Sequence, residues 1–399
     1  MNDVFQALQH HVEHRRVLNT HSHHLQDQDF HGFDLDQLLS HSYVNWNGVP
    51  LSPTYESRVN YLEKNKYSSY FVWLQKGLQA LYGFTEPLSA DNWEWLSAEI
   101  SRAHGDKQHH LRVLQDTCQY EKVILDTYWE PGSDNGHPEA FAPTLRVNSF
   151  LFGYSSVAVD HNGHSPKTLY GYVPKDLDEY VSFMEERIRA KQEQGCVALK
   201  CAAAYERGLD FEAVSRAVAS RVLKQRPHEQ SPLDIKNFQD YIFEQVCRIA
   251  AQLDLPLQVH TGMGLLGKTR AMELNGVIGR NPDTKFVLFH GSYPWTADVH
   301  GLLRVHPNVY PDICWLPLLS TSAAIRMLHE LMEGGTSDKV CWGCDTWTSE
   351  ESYGALLAIR HVLATVLARK VEEGYFTLED AYEMADNLLW RNAKGLYGI

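Results

Sequence analysis

Eight short β-rich runs punctuate this chain, and their rhythm leaves few folds open. They are RVLNTHSHH (16–24), KVILDTYW (122–129), LRVNSF (145–150), VALKCAAAY (197–205), LPLQVHT (255–261), KFVLFHGSY (285–293), NVYPDICW (308–315) and KVCWGCDTW (339–347). Continuous apolar stretches such as VILD, FVLFH and LPLQVH suit strands buried on both faces, as in a parallel sheet. Between most of them lie segments of helical periodicity, for example 178–195 and 239–254. The second runs into Leu255-Pro256, a helix stop. Strands alternating with amphipathic helices make βαβ units, and eight of them predict closure into a TIM-type (β/α)8 barrel.

Two connections are too long for simple crossovers. Residues 44–110 carry many aromatics, including Trp46, Tyr61, Tyr70, Trp73, Trp93 and Trp95, and predict a helical insertion after the first strand that caps the barrel mouth. Residues 206–238, with Pro227 and Pro232, predict a smaller insertion after the fourth strand. The last segment, TLEDAYEMADNLLWRNAKGLYGI, opens with a Thr377/Asp380 helix start and predicts a helix across the barrel exterior. With no repeat, low-complexity tract or linker in view, residues 1–399 read as one domain with insertions.

Composition narrows the class of partner. A hydrophobic share of 44% and a charged share of 22% are those of a globular protein with an ample core. Thirty-six basic against fifty acidic residues give a net charge of −14, which argues against nucleic acid or an anionic membrane as partner. A small-molecule substrate remains, and a local cationic pocket can accept an anionic one. No stretch reaches the roughly 18 apolar residues that span a bilayer. The opening MNDVFQALQHHVEHRR does not read as a signal peptide. Seven cysteines, an odd number, suit reduced thiols in the cytoplasm. The aromatic insertion offers a surface for a homo-oligomer.

The strand ends carry the chemistry. In a (β/α)8 barrel the active site forms at the C-terminal ends of the strands. The first ends in His21-Ser22-His23, and alternation puts residues two apart on one face. The fourth ends in Lys200, the fifth in His260, the sixth in His290 and the eighth in Asp345. Together they make the nitrogen and oxygen donor set of zinc or a similar divalent metal. Aromatics at or just past strand ends, Tyr205, Tyr293 and Trp315 among them, are candidates to line a substrate pocket, with Arg146 and Arg207 as anchors for an anionic substrate. Alternation turns His24 away, and His109-His110 and His161/His164 read as solvated loop residues. His10 and His14 read as an exposed helix face. Cys341 and Cys344 match a CxxC spacing but lie along a strand, which makes a redox role a poor reading.

The order His-x-His, Lys, His, His, Asp resembles the amidohydrolase superfamily. LKCAAAYERGLDF, LPLQVHTGMG, FHGSYPW and NLLWRNAKGLYGI resemble its amidohydrolase-related (amidohydrolase 2) family, and within it the domains fused to glutamine synthetase in some plant and fungal proteins. FVWLQKGLQALYGFTEPLSADNWEWL, in the insertion, looks more like uronate isomerase. The resemblance implies that His21, His23, His260 and Asp345 bind one Zn2+. Asp345 would take and return the proton of a metal-activated water, and His290 would orient that water or polarise a carbonyl. Lys200 would either be carbamylated and bridge two metals or, unmodified, bind a substrate carboxylate. The mononuclear form is the preferred reading. The implied reaction is hydrolysis of an amide, lactone or related carbonyl bond. Its rivals are aldose–ketose isomerisation of a sugar acid and non-oxidative decarboxylation.

Overall fold

The computed structural model describes residues 3–335 and 337–399. The chain divides into two compact units, 1–125 with 135–141 and 313–393, and 126–134 with 142–312 and 394–399.

In the first unit, strand β1 (Val17–Ser22) is buried at every position and pairs in parallel with β2 (Tyr120–Leu125). The eighth predicted run, 339–347, does not form a regular strand. It nonetheless lies along β1, because Thr20 N donates to Trp342 O, Asp345 N to His21 O and His23 N to Thr346 O. On its other side it accepts from Ile313 N at Cys341 O and from Trp315 N at Gly343 O. The physical reason for the irregularity is Asp345, whose φ of 56° breaks the extended path. Aspartate tolerates that left-handed conformation better than most residues. Gly343 is required where the two segments meet, since a Cβ there would sit 2.6 Å from His21 N.

The insertion between β1 and β2 is helical, as expected, but begins earlier than residue 44. The helix Leu35–His41 opens it, capped by Asp34, whose carboxylate accepts from Gln37 N. Its seven residues are too few for periodicity to show. Tyr55–Asn65, Ser69–Tyr82, Trp93–His104 and His109–Arg112 follow. Ser69–Tyr82 packs on the long helix Ser349–Glu372 through small residues: a Cβ at Gly354 would meet Trp73 O at 2.7 Å. Thr348 and Glu351 form a capping box at the start of that long helix, an arrangement worth about 1 kcal/mol. Near the C-terminus, Thr377 and Asp380 make the expected capping box, and Asn392 ties the following turn to Val340 O.

The second unit holds five parallel strands in chain order, β3 (Phe141–Arg146), β4 (Ala198–Cys201), β5 (Leu257–His260), β6 (Phe286–Phe289) and β7 (Val309–Pro311). The third strand ends at Arg146, not at residue 150. Asn148 instead opens a short helical turn and fixes it by accepting from Ala202 N at 2.7 Å. Sequence pattern misplaced it because Pro143 disguises the strand. Its carbonyl still accepts from Val197 N, so the ladder survives. The helix expected at 178–195 is Leu177–Glu193. The one expected at 239–254 spans Pro232–Gln252, because Ser231 caps it and Pro232 fits the first helical position instead of breaking the chain. No helix among the described residues is long and apolar enough to cross a membrane.

Candidate metal centre

Three donors from distant parts of the chain meet in the first unit. His21 is the fifth residue of β1 and His23 follows just past its end. Both are buried, as is Asp345. His21 Nε2 lies 3.5 Å and His23 Nε2 3.3 Å from the same oxygen, Asp345 Oδ1. Ligands held at about 2.0–2.1 Å around a tetrahedral ion sit roughly 3.3–3.5 Å apart. The observed separations therefore fit a divalent cation among the three better than the shorter contact of a direct charged hydrogen bond. The two imidazoles meet edge to face, their planes 80° apart, so neither blocks the other.

The backbone holds these donors in register. Asn19 Oδ1 accepts from Cys344 N at 2.9 Å and from His21 N at 3.2 Å, linking the two ligand-bearing segments through one side chain. Ser22 Oγ donates to Thr346 O at 2.7 Å, and Thr346 pairs with Ser352 at 2.7 Å. Trp347 stacks 5.5 Å from His23. Tyr43 packs 4.3 Å from Trp347 and 4.6 Å from Trp315, and Trp46 packs 5.4 Å from Trp315. The insertion thus supplies an aromatic wall beside His23, with Trp315, an expected pocket residue, buried inside it. Asn19 and Tyr43 escaped sequence reasoning. An asparagine two residues before a His-x-His pair was the available signal for the first.

The second unit gathers the other expected residues. Lys200 is paired in register with Arg146, is buried, and holds its Nζ 4.0 Å from the centroid of Phe289. His260 ends β5. Its Nε2 donates to Met263 O, which leaves Nδ1 to accept from His290 Nε2 at 2.9 Å. Tyr205 packs 4.5 Å from His260 with its ring tilted 49°. The hydrogen bond joins His260 and His290 into a coupled pair of imidazoles. Tyr293, past β6, is half-buried.

Both arginine candidates already carry carboxylates. Arg146 donates to Asp126 from Nε at 3.2 Å and Nη2 at 2.5 Å. Burial alone would lower its pKa, but the Asp126 charge and hydrogen bonds raise it. Arg207 pairs with Asp240 at 2.6 Å and tethers its loop to the helix Pro232–Gln252. An anionic substrate would have to share these guanidiniums with the resident carboxylates. His161 is exposed in its loop, as expected, and pairs with Glu206 at 2.6 Å.

One other histidine reading needs correction. His24, expected to turn away to a place behind the donors or to solvent, takes the first: it is fully buried and bonds His110 Nδ1 at 2.9 Å. His109 and His110 lie on a helix, not in a loop, and His110 is buried. Strand alternation correctly turns His24 away from His23, but it cannot tell solvent from a second packed layer. Cys341 and Cys344 form no disulfide and are buried, and His10 and His14 are exposed as expected.

Known proteins with related sequences and folds bear on this arrangement. Protein fluG of Emericella nidulans is 30% identical over 221 residues, covering 51% of this chain and 26% of its own length. A uronate isomerase of Streptococcus equi subsp. equi is 23% identical over 211 residues, covering 50% of this chain and 44% of its own. The chain thus matches less than half the length of either relative. Among solved structures, the glucuronate isomerase of Caulobacter crescentus aligns with a TM-score of 0.77 at 17% identity, over 99% of this chain and 94% of that one. The uronate isomerase of Thermotoga maritima gives 0.75 at 16%, over 100% and 98%. A Lactobacillus casei protein named as a candidate metal-dependent hydrolase gives 0.73 at 18%, over 98% and 97%. These likenesses establish the TIM-barrel type of α/β fold. The amidohydrolase family model matches residues 157–399, more than half of the sequence, and the chain belongs to that family.

Proposed function

We propose that this chain is a metal-dependent hydrolase that cleaves an amide, lactone or related carbonyl bond of a small molecule. The observation that carries the reading is the meeting of His21 and His23 on one oxygen of Asp345 at tetrahedral-edge separations. These three would hold the cation, zinc by their donor chemistry. His260 is proposed as a further ligand on family membership and its place at the end of β5. To serve, it must give up one of its two present hydrogen bonds. When bound, the cation supplies Lewis-acid activation of water and of a substrate oxygen.

The remaining steps belong to the protein. The Asp345 carboxylate takes a proton from the attacking water and returns it to the leaving group. His290, bonded to His260, donates toward the developing oxyanion. Lys200 binds a substrate carboxylate as a point charge, or bridges a second ion if carbamylated. Tyr205, Tyr293 and Trp315 contribute pocket walls, and the Trp347–Tyr43 face favours a substrate with an apolar or planar portion. Seven buried free thiols support a reducing compartment such as the cytoplasm.

One observation favours a second reading. The two sugar-acid isomerase structures align over 94% and 98% of their own lengths, on the full-length fold that includes the helical insertion. Isomerisation moves a proton between neighbouring carbons, a task the same carboxylate could perform. The readings separate by mass. The metal-loaded protein is incubated with uronates, N-acyl and γ-glutamyl compounds and aromatic acids. Hydrolysis adds water, isomerisation leaves mass unchanged while changing retention, and decarboxylation releases carbon dioxide. Products whose masses sum to that of the substrate plus one water support the hydrolase. A hexuronate converted to its keto form overturns it.

A further inference from the structure

A second group of two imidazoles and a carboxylate lies in the first unit, built from helices instead of strand ends. His104 closes the helix Trp93–His104, His109 opens the short helix His109–Arg112, and Glu350 sits in the first turn of Ser349–Glu372. One donor atom from each lies within 4.8 Å of the others. His104 Nε2 is 2.7 Å from Glu350 Oε1, and both side chains are almost wholly excluded from solvent. The two imidazoles meet edge to face at 4.8 Å and 84°. Phe30 stacks flat on His104, 3° from parallel, and also on His110, fixing the rings.

Most of the polar atoms here are accounted for, and the exception is informative. Glu350 Oε1 accepts from Tyr82 at 2.7 Å and Oε2 accepts from Ser349 at 2.9 Å. His109 Nε2 is buried and has no hydrogen-bond partner. A buried imidazole nitrogen left unmet costs about 1–3 kcal/mol. Here it lies beside a buried carboxylate and a second imidazole, the chemistry of a metal ligand set.

We propose that His104, His109 and Glu350 form a second divalent-cation site, distinct from the His21/His23/Asp345 centre and structural in role. The cation takes the place of the hydrogen bond that now joins His104 Nε2 to Glu350 Oε1. Three protein ligands leave a fourth position for solvent. Ligand separations near 3.3 Å require the 2.7 Å pair to open by a few tenths of an ångström and His109 to move in. Burial lowers the pKa of His109, which keeps its nitrogen a neutral ligand. Burial alone would raise Glu350, but the His104 charge and hydrogen bond, with Tyr82 and His109, bring it to about 2, so the carboxylate is anionic. The site ties the insertion to the helix Ser349–Glu372, where a loop-closing metal adds most stability.

The test is metal stoichiometry on the full chain, read by elemental mass analysis after zinc loading and gel filtration. Wild type is expected to retain two equivalents, H109Q one, and the H21A/D345N double variant one. A triple variant combining these should retain none. Co2+ loaded into the H21A/D345N protein should give four-coordinate ligand-field bands in the visible, and these should vanish when H109Q is added. Should H109Q not fold, the cobalt spectrum of H21A/D345N decides alone: bands support the site and their absence overturns it. One equivalent in wild type overturns the proposal. So does a folded H109Q that keeps two, since both ions would then belong to the strand-end centre.

Discussion

The two imidazole–carboxylate groups of the first unit use the same chemistry in opposite ways. At the strand ends, His21 and His23 stand 3.5 and 3.3 Å from one oxygen of Asp345, spaced as if around an ion. Between the helices, His104 and Glu350 have closed to 2.7 Å in a direct hydrogen bond, and His109 stands apart with an unmet nitrogen. The first group is held open by backbone: Asp345 N on His21 O, His23 N on Thr346 O, and Asn19 bracing both segments. The second is held by side chains that can move. Donor spacing here follows what restrains the donors: backbone pairing holds the strand-end group open, and mobile side chains let the helix-borne pair close.

Substitutions should sort the two groups by the property they damage. The largest effect falls on Asp345→Asn and His21→Ala, each expected to cut kcat/KM by about 1,000-fold or more, with the folded protein retained. Steady-state rates beside urea melts check this, and near-wild-type turnover in either variant would dissolve the contrast. Glu350→Gln should instead lose about 1–3 kcal/mol of stability, because it disrupts the buried carboxylate that bonds His104, Tyr82 and Ser349. If its unfolding midpoint matched wild type, the buried pair would not be the anchor described.

A third expectation concerns acid. Burial holds His110 at about 4, below its ordinary 6.5. The native state then binds fewer protons than the unfolded chain between those values. Stability is full above pH 6.5 and declines as pH falls toward 4, by about 3 kcal/mol at roughly 1.4 kcal/mol per pH unit. Urea melts of chelator-treated protein should show this slope, and His110→Gln should flatten it. An unchanged slope in that variant would assign it elsewhere. Asn19→Ala is smaller, about 1–2 kcal/mol in stability with metal affinity weakened about tenfold, since it frees the two ligand-bearing segments. Equilibrium metal titration reads it. The smallest effect is a silence: burial pushes the Cys201 and Cys196 thiols up to about 12, and all seven cysteines are buried. None should react with an aromatic disulfide in native protein at mildly alkaline pH, and all should once it is unfolded.

The contrast also marks what could be read before any coordinates. Strand ends are legible because alternation of two fixes which side chains share a face, so His21 and His23 declared themselves. Six of the eight expected runs fall on strands, the third catches only the last two residues of β3, and the amphipathic spacing located the helices Leu177–Glu193 and Pro232–Gln252 to within a few residues except at Ser231-Pro232. The eighth run kept its place beside β1 but lost its regularity, because a φ of 56° at Asp345 leaves no trace in hydrophobic pattern. The helix-borne group was illegible for a different reason. His104, His109 and Glu350 are brought together by the packing of the insertion on a helix almost 250 residues away, and no local period encodes that. His109-His110 in sequence looks like any polar stretch.

The central claim is that a cation sits where His21, His23 and Asp345 converge. X-ray diffraction from zinc-loaded crystals, recorded on both sides of the metal absorption edge, tests it directly. The account predicts an anomalous peak about 2.0–2.2 Å from His21 Nε2, His23 Nε2 and an Asp345 carboxylate oxygen. Density at that point with no anomalous signal, or three side chains turned away from one another, would contradict it.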